Sequence, residues 1–501
     1  MSGTTSSGPS IQFQNFPAST WRPHGVYAEI HAAPSNQGPQ AQRAIIFGQV
    51  VTGGTAVAGV PIQAFSQKQI DALSGSPGSM LSLMYAAYLR QDPFGEVWVM
   101  PLVDDPAAVA GTGTLVCTGP ATATGMLPLW IAGQPVYVGV TSGDASTAIA
   151  TNIAAKINGT LNLPCTASVT ASTVTVTALN KGLAENDIDM RLAYLGATAG
   201  EAVPAGVTVT VTALAGGATN PVLTTALTNM ADMPFDCIVS PYTDSISLTA
   251  LQSFLSETSG RWAPISQIYG HVFAAARGTA GTLTTLGTGR NNDHESILGF
   301  YDSPTPAWLE AADFAAACFR SLKVDPGLPM QELALNLLAP PIASRFTKAT
   351  ANTFLWDGIS TFYVQPDGTC RLDRVITTYQ LNASGQPDDS YLDVETMFGL
   401  MFYARYNIAA LSNAFSRKKL VADGTRVPAG SNMASPSTVK DAAVAIYRFL
   451  ETAGYVQQSA QFAANAQAQL GTQKGQVLLL LPVVLVGQLR QIAMNIQFSK
   501  T

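Results

Sequence analysis

Arg43-Ala-Ile-Ile-Phe-Gly-Gln-Val50 reads as a core strand. Working outward from it, residues 80–90 read as a helix with Met80, Leu83, Met84, Ala87 and Tyr88 on one face. Glu96 to Leu102 follows as a second strand. A strand, a helix and a strand in that order imply an α/β layer. The same character resumes at 222. Phe235–Ser240 reads as a buried strand, Leu248–Thr258 as a helix and Gln267–Ala275 as a strand. Thr305-Pro306 reads as an N-cap with proline at the first helical position, ahead of a helix that buries Trp308, Ala312, Ala315, Phe319 and Leu322.

Composition changes between these halves. From 107 to 218 the chain is rich in Thr, Ala, Val and Gly. Strands are expected at Leu115–Thr118, Val136–Thr141, Ala167–Thr170, Thr173–Ala178 and Val207–Ala213, with a helix from Ser146 to Leu161. Gly111, Gly113, Gly216 and Gly217 flank the block as expected hinges. The block therefore reads as an inserted β-rich domain. Further on, residues 358–379 alternate around Pro366-Asp367-Gly368, a hairpin signal. Met397, Met401, Ala404, Ile408, Leu411 and Phe415 mark a long helix. Ser435-Pro436 caps a last helix ending at Gly454. Val477–Val486 reads as a buried strand, a break at Pro482 and a second apolar stretch, too short for a membrane helix of about 20 residues.

The two ends carry a separate signal. Val26-Tyr-Ala-Glu-Ile30 reads as a strand inside an arm that also holds Phe13. Near the other end Ile492, Met494, Ile496 and Phe498 alternate with polar neighbours. A strand pattern in such a place needs an edge to pair with, and another subunit can offer one. A chain of 501 residues allows about three domains. Only 12% of residues are charged, which fits a surface largely covered by neighbours.

Chemistry is not evident. A net charge of −6 without a basic run argues against a nucleic-acid groove. Cys117, Cys165, Cys237, Cys318 and Cys370 are odd in number and scattered, so they read as reduced, buried thiols. The opening Met-Ser-Gly-Thr-Thr-Ser-Ser-Gly-Pro has no signal-peptide pattern. Asn292-Asp293-His294-Glu295 lacks the supporting motifs of a catalytic histidine. Asp388, Asp389, Asp393 and Glu395 form an acidic cluster, with Asp389 and Asp393 placed to share a helical face. Its position at a helix start suits the helix dipole better than a metal. The glycines at 111, 113 and 119 match no dinucleotide fingerprint, and Asn158-Gly-Thr160 is a glycosylation pattern without a secretion signal. No catalytic residue, cofactor or metal is expected. Arg417, Lys418 and Lys419 close the long helix, either as charges at its C-terminus or as a basic patch for an acidic partner.

Taken in order, Phe13-Gln-Asn-Phe-Pro17, Gly25-Val-Tyr-Ala-Glu29, Ala44-Ile-Ile-Phe-Gly-Gln49 and Gly75-Ser-Pro-Gly-Ser-Met80 form a family pattern. It continues through Glu96-Val-Trp98, Gly281-Thr-Leu283, Asp325-Pro326, Asp357-Gly-Ile-Ser-Thr361 and Val375-Ile-Thr-Thr-Tyr379. Asp389-Ser-Tyr-Leu-Asp393, Arg417-Lys-Lys-Leu420, Leu450-Glu451 with Gly454, Gln488-Leu489 and Gln497-Phe498 complete it. With these segments the chain resembles the contractile tail sheath proteins of Mu-like bacteriophages and prophages. His24, where proline is usual, and the aliphatic Leu478–Val486 stretch depart from the pattern.

The resemblance implies a non-enzymatic structural subunit of the virion tail, assembled in the host cytoplasm. Its fold would be an α/β (α+β) multidomain one. The implied parts are a linking arm over 1–31, a core α/β domain over 32–106 and 219–350, and an outer insert over 107–218. A C-terminal sheath domain facing the tube would span 351–487, and a second linking arm 488–501. Partners would be further copies in stacked hexameric rings, the inner tube, and baseplate and tail terminator proteins, with neither nucleic acid nor membrane insertion. Phe13, Val26, Ala28, Ile30, Ile492, Met494, Ile496 and Phe498 are the expected subunit-linking residues. Arg405, Arg417, Lys418 and Lys419 are candidates for a polar, releasable grip on the tube. The sheath of a tailocin or other contractile injection system is an alternative, and an α/β enzyme with a β-rich accessory domain is a more distant one.

Overall fold

The computed structural model describes residues 42–428 and 430–499. Its centre is a six-stranded sheet. The strand order across it is Glu295–Phe300, His271–Arg277, Cys237–Val239, Arg43–Gln49, Glu96–Leu102 and Ile62–Ala64. Five strands run parallel, and only the short Ile62–Ala64 edge is antiparallel. Buried on both faces, these strands are near-continuous apolar runs, as parallel sheets require. Ala44, Ile45, Ile46, Val272, Phe273 and Ile297 are fully buried. The helices Met80–Gln91 and Ala307–Val324 pack together and against the sheet.

The chain leaves this sheet after Leu102 and returns at Cys237, and the β-rich insert lies between. It holds two antiparallel sheets. One has the order Thr208–Ala215, Thr112–Thr118, Thr173–Ala178, Cys165–Thr170. The other has the order Gln134–Val140, Gly125–Ile131, Met190–Leu192. Ile149, Ile153 and Ile157 of the Ser146–Asn158 helix are buried in the insert's part of the core. Thr173–Ala178 shows the clean alternation of a half-buried strand. Gly125–Ile131 escapes sequence reading because Pro128 sits inside it and five of its seven residues are buried, so period two is lost.

Gly113 and Gly217 are not open hinge positions, whereas a Cβ on Gly216 would meet nothing within 4 Å. A Cβ on Gly217 would lie 2.4 Å from the Gly182 carbonyl oxygen, and one on Gly113 2.7 Å from that of Thr212. They are glycines because backbones approach closely there.

A small sheet of Ala334–Leu335, Cys370–Arg374 and Thr361–Val364 follows, and its hairpin turns where Pro366-Asp367-Gly368 predicts. Next come the helices Val394–Phe415, Pro436–Thr452 and Ser459–Asn465. Ser435 caps the second through its hydroxyl, Pro436 is its first residue, and Gly454 takes φ +87 just beyond it. Tyr403, Val444, Tyr447, Leu450, Val456, Phe462 and Ala466 make a separate C-terminal core. The five cysteines are buried free thiols.

Several expectations need correcting. The helix after Gly454 makes Pro436–Thr452 not the last. Pro306 is the N-cap, not the first helical residue. The helix expected over Leu248–Thr258 spans Ser245–Leu255, and the strand expected over Gln267–Ala275 spans His271–Arg277. Val477–Leu480 is a half-buried strand, not a buried one, because among the described residues its only partner is the Gln467–Leu470 strand. Asp389 precedes the helix that starts at Val394, so it shares no helical face with Asp393.

Candidate assembly surface

The C-terminal core ends in a ribbon with open edges. Gln467–Leu470 and Val477–Leu480 pair with each other and, among the described residues, with no further strand. One face carries Ala468, Leu470, Val477 and Leu479, with the Pro436–Thr452 helix against the ribbon. The other carries Gln467, Gln469, Leu478 and Leu480, all exposed. A two-stranded ribbon is marginal by itself, and its unpaired backbone groups are a template for another strand.

After the ribbon the chain is pinned stepwise. Tyr447 donates its hydroxyl to the Gln457 carbonyl at 2.7 Å and accepts from the Val484 N–H at 3.0 Å. Gln457 donates to the Leu485 carbonyl, and Gln331 to that of Leu489. Arg490 is the final pin: its guanidinium lies 3.0 Å from both Asp393 and Glu395. Glu395 is fully buried, and burial pushes its carboxyl up, against the pull of the Arg490 charge. Arg374 pairs with Asp393 as well. The acidic cluster thus serves as a receptor for two arginines, with the N–H of Met330 also donated to Glu395.

Past Arg490 every residue from 491 to 499 is exposed, and none belongs to a strand. Ile492, Met494, Ile496 and Phe498 are 74% to 85% exposed. Nine residues reach about 30 Å when extended. Four large apolar side chains thus alternate along a segment that belongs to no strand among the described residues.

The candidate basic residues separate. Arg405 is committed inside the chain: its guanidinium pairs with buried Asp236 at 2.5 Å, donates to the Ile268 carbonyl and lies over the Tyr269 ring. Arg417, Lys418 and Lys419 are exposed just after the long helix, and Lys419 starts a two-residue parallel pairing with Met433–Ala434. The Phe13, Val26, Ala28 and Ile30 arm lies outside the described residues.

The His294 region does not assemble an acid–base relay. The ring is buried, stacks on Trp262 at 4.4 Å, and burial lowers its pKa to about 3. Glu295 beside it is engaged by Arg290 at 2.9 Å. Arg490 and the Asp393–Glu395 receptor escape sequence reading, since nothing local links positions nearly 100 residues apart.

The phage tail sheath protein central domain matches residues 216–378. The Mu-like prophage FluMu tail sheath protein of Haemophilus influenzae is 34% identical over 456 residues, 90% of this chain and 92% of the relative. Among solved structures, the sheath tail protein of Listeria innocua is 14% identical over 90% of this chain and 93% of its own, with a TM-score of 0.48. The contracted helical sheath of the anti-feeding prophage is 11% identical over 95% and 98%, with a TM-score of 0.45. An identity of one residue in three along nine-tenths of both chains is decisive, and the chain belongs to the tail sheath proteins of Mu-like prophages.

Proposed function

We propose that this chain is the repeating subunit of a contractile tail sheath, that it stacks as hexameric rings around an inner tube, and that neighbours are linked by strand exchange. The observation that carries the linkage is the alternating, unpartnered segment 491–499 beyond the Arg490 clamp, in a molecule whose Val477–Leu480 ribbon has open edges. Added strands make backbone hydrogen bonds that persist while rigid bodies rotate, so a lattice joined this way rearranges without separating. The 1–31 arm is proposed to act in the same mesh. Contraction then needs only two packings of one chain that differ by a few kcal/mol per subunit, summed over many copies.

In this reading Arg417, Lys418 and Lys419 supply the releasable grip on the tube, and Arg405 does not, because Asp236 holds it. Exposed charges give weak, salt-sensitive attachment, which suits a contact that has to break. Baseplate and terminator proteins would nucleate and close the stack, and the finished sheath would be part of the virion, assembled in the host cytoplasm.

Deleting residues 491–501 tests the linkage: a folded subunit that no longer forms tubes or stacked rings by electron microscopy supports it, and normal polymers refute it. For the grip, the double variant Lys418→Glu, Lys419→Glu is expected to polymerise alone but fail to form extended sheath on tube protein. Extended tails of ordinary length in that variant would remove these residues from the role.

A further inference from the structure

We propose that Glu257, Asp293 and His294 form a binding site for one divalent metal ion of zinc-like chemistry. Glu257 lies in the turn after the Ser245–Leu255 helix, and Asp293 and His294 lie in the turn before the Glu295–Phe300 strand. One ligand atom from each comes within 4.8 Å of the others, and the His294 Nε2 is 3.6 Å from an Asp293 carboxylate oxygen.

The independent observation is the imidazole. His294 is only 2% exposed, yet neither ring nitrogen has a hydrogen-bond partner. Buried polar atoms are nearly always satisfied, and two orphans on one ring are costly. The ring is not loose: it stacks on Trp262, whose indole N–H is donated to the Gly270 carbonyl. The His294 backbone is held by Asn292 and Val272. A fixed ring with two vacant nitrogens beside two carboxylates is a preformed donor set.

Charge agrees. Among the described residues no Lys or Arg pairs with Asp293 or Glu257. A dication would neutralise the two carboxylates. One nitrogen and two oxygens suit zinc or its borderline neighbours better than calcium, which takes oxygens alone. Bonds of about 2.0–2.1 Å place tetrahedral ligands roughly 3.3 Å apart. The exposed Glu257 can move to close that geometry. At least one position then stays open to water, and the ion ties the helix end to the strand start.

The test is titration of the chelator-stripped full-length chain with Co²⁺ and Zn²⁺, reading metal per chain after dialysis and the visible Co²⁺ absorption. One equivalent per chain is expected, with a tetrahedral-type Co²⁺ spectrum displaced by Zn²⁺. Glu257→Ala, at an exposed position, should weaken binding more than about tenfold while leaving the melt of the metal-free chain unchanged. His294→Gln should abolish the spectrum. Absence of stoichiometric metal at micromolar concentrations would overturn the site and assign the ring nitrogens to buried water. So would unchanged affinity in both Glu257→Ala and Asp293→Asn.

Discussion

The insert and the 491–499 segment are joined to the body in opposite ways. The insert is bolted on through buried and half-buried polar contacts. Arg277 of the body pairs with Asp187 at 2.9 Å, and Arg191 of the insert with Asp302 at 3.1 Å. Tyr194 donates to the Ala339 carbonyl, and Asn180 bridges the Met80 N–H and the Val50 carbonyl. The other segment has one clamp, Arg490, and beyond it every residue to 499 is exposed among the described residues. A region fixed by many desolvated contacts moves with its body. A region fixed at one point is free to be bound by something else. The insert's β-richness therefore says little about mobility, and the bareness of 491–499 says a great deal about partners.

The largest expected effect breaks the second half of that comparison. Ile496→Asp with Phe498→Asp puts two charges on the apolar row of 491–499. Assembly should fail as completely as with the deletion, because a charge cannot be buried against another subunit without a partner. The monomer's melting temperature should not move, since both side chains are more than four-fifths exposed. A fall in that temperature, followed by differential scanning fluorimetry, would mean that the segment packs on its own chain.

The insert's joint predicts a pH signature. Burial pushes the Asp187 carboxyl up to about 6 from 3.8, and the Arg277 charge opposes this. An acid raised on folding binds its proton more tightly in the native state. Its contribution is therefore greatest below about pH 4 and is lost as pH rises through 6. Urea unfolding of wild type and Asp187→Asn should show their stability difference moving by about 2 kcal/mol between pH 4 and pH 7, against the wild type. A flat difference would show that Arg277 fully compensates the buried charge.

How much of this was legible depends on what each pattern records. Ala44–Phe47 and Cys237–Val239 announce a buried parallel sheet because burial on both faces leaves an apolar run that no surface strand carries. Thr173–Ala178 announces its half-buried sheet by period two. Val477–Leu480 is a continuous apolar run and Ile492–Phe498 an alternating one; the first is paired, and the second is bare among the described residues. Alternation records the need for an edge and not whose edge it is. Arg405 is a candidate for the tube grip in sequence, on the long helix ahead of Arg417. Only the fold brings Asp236 to it, 169 positions earlier in the chain. Asp293 and His294 were visible as neighbours, but Glu257 joins them only through the packing of two turns.

The smallest effect sharpens the boundary between body and free segment. Arg490→Gln removes the guanidinium from Asp393 and from fully buried Glu395. Arg374 still reaches Asp393, and the Met330 N–H is still donated to Glu395 at 3.1 Å, so neither carboxylate is left wholly alone. Glu395, already pushed up by burial, loses the one cation that opposes the push, and its neutral form gains. The expected cost is about 1–3 kcal/mol at pH 7, smaller in mild acid where Glu395 protonates. If Arg490 also sets the direction in which 491–499 leaves the body, the variant should still fold but polymerise more slowly, because the segment searches a wider range before meeting an edge. Light scattering during assembly separates the two roles. Slower growth at unchanged final mass makes Arg490 an aiming residue, whereas unchanged kinetics with reduced stability makes it a clamp and nothing more.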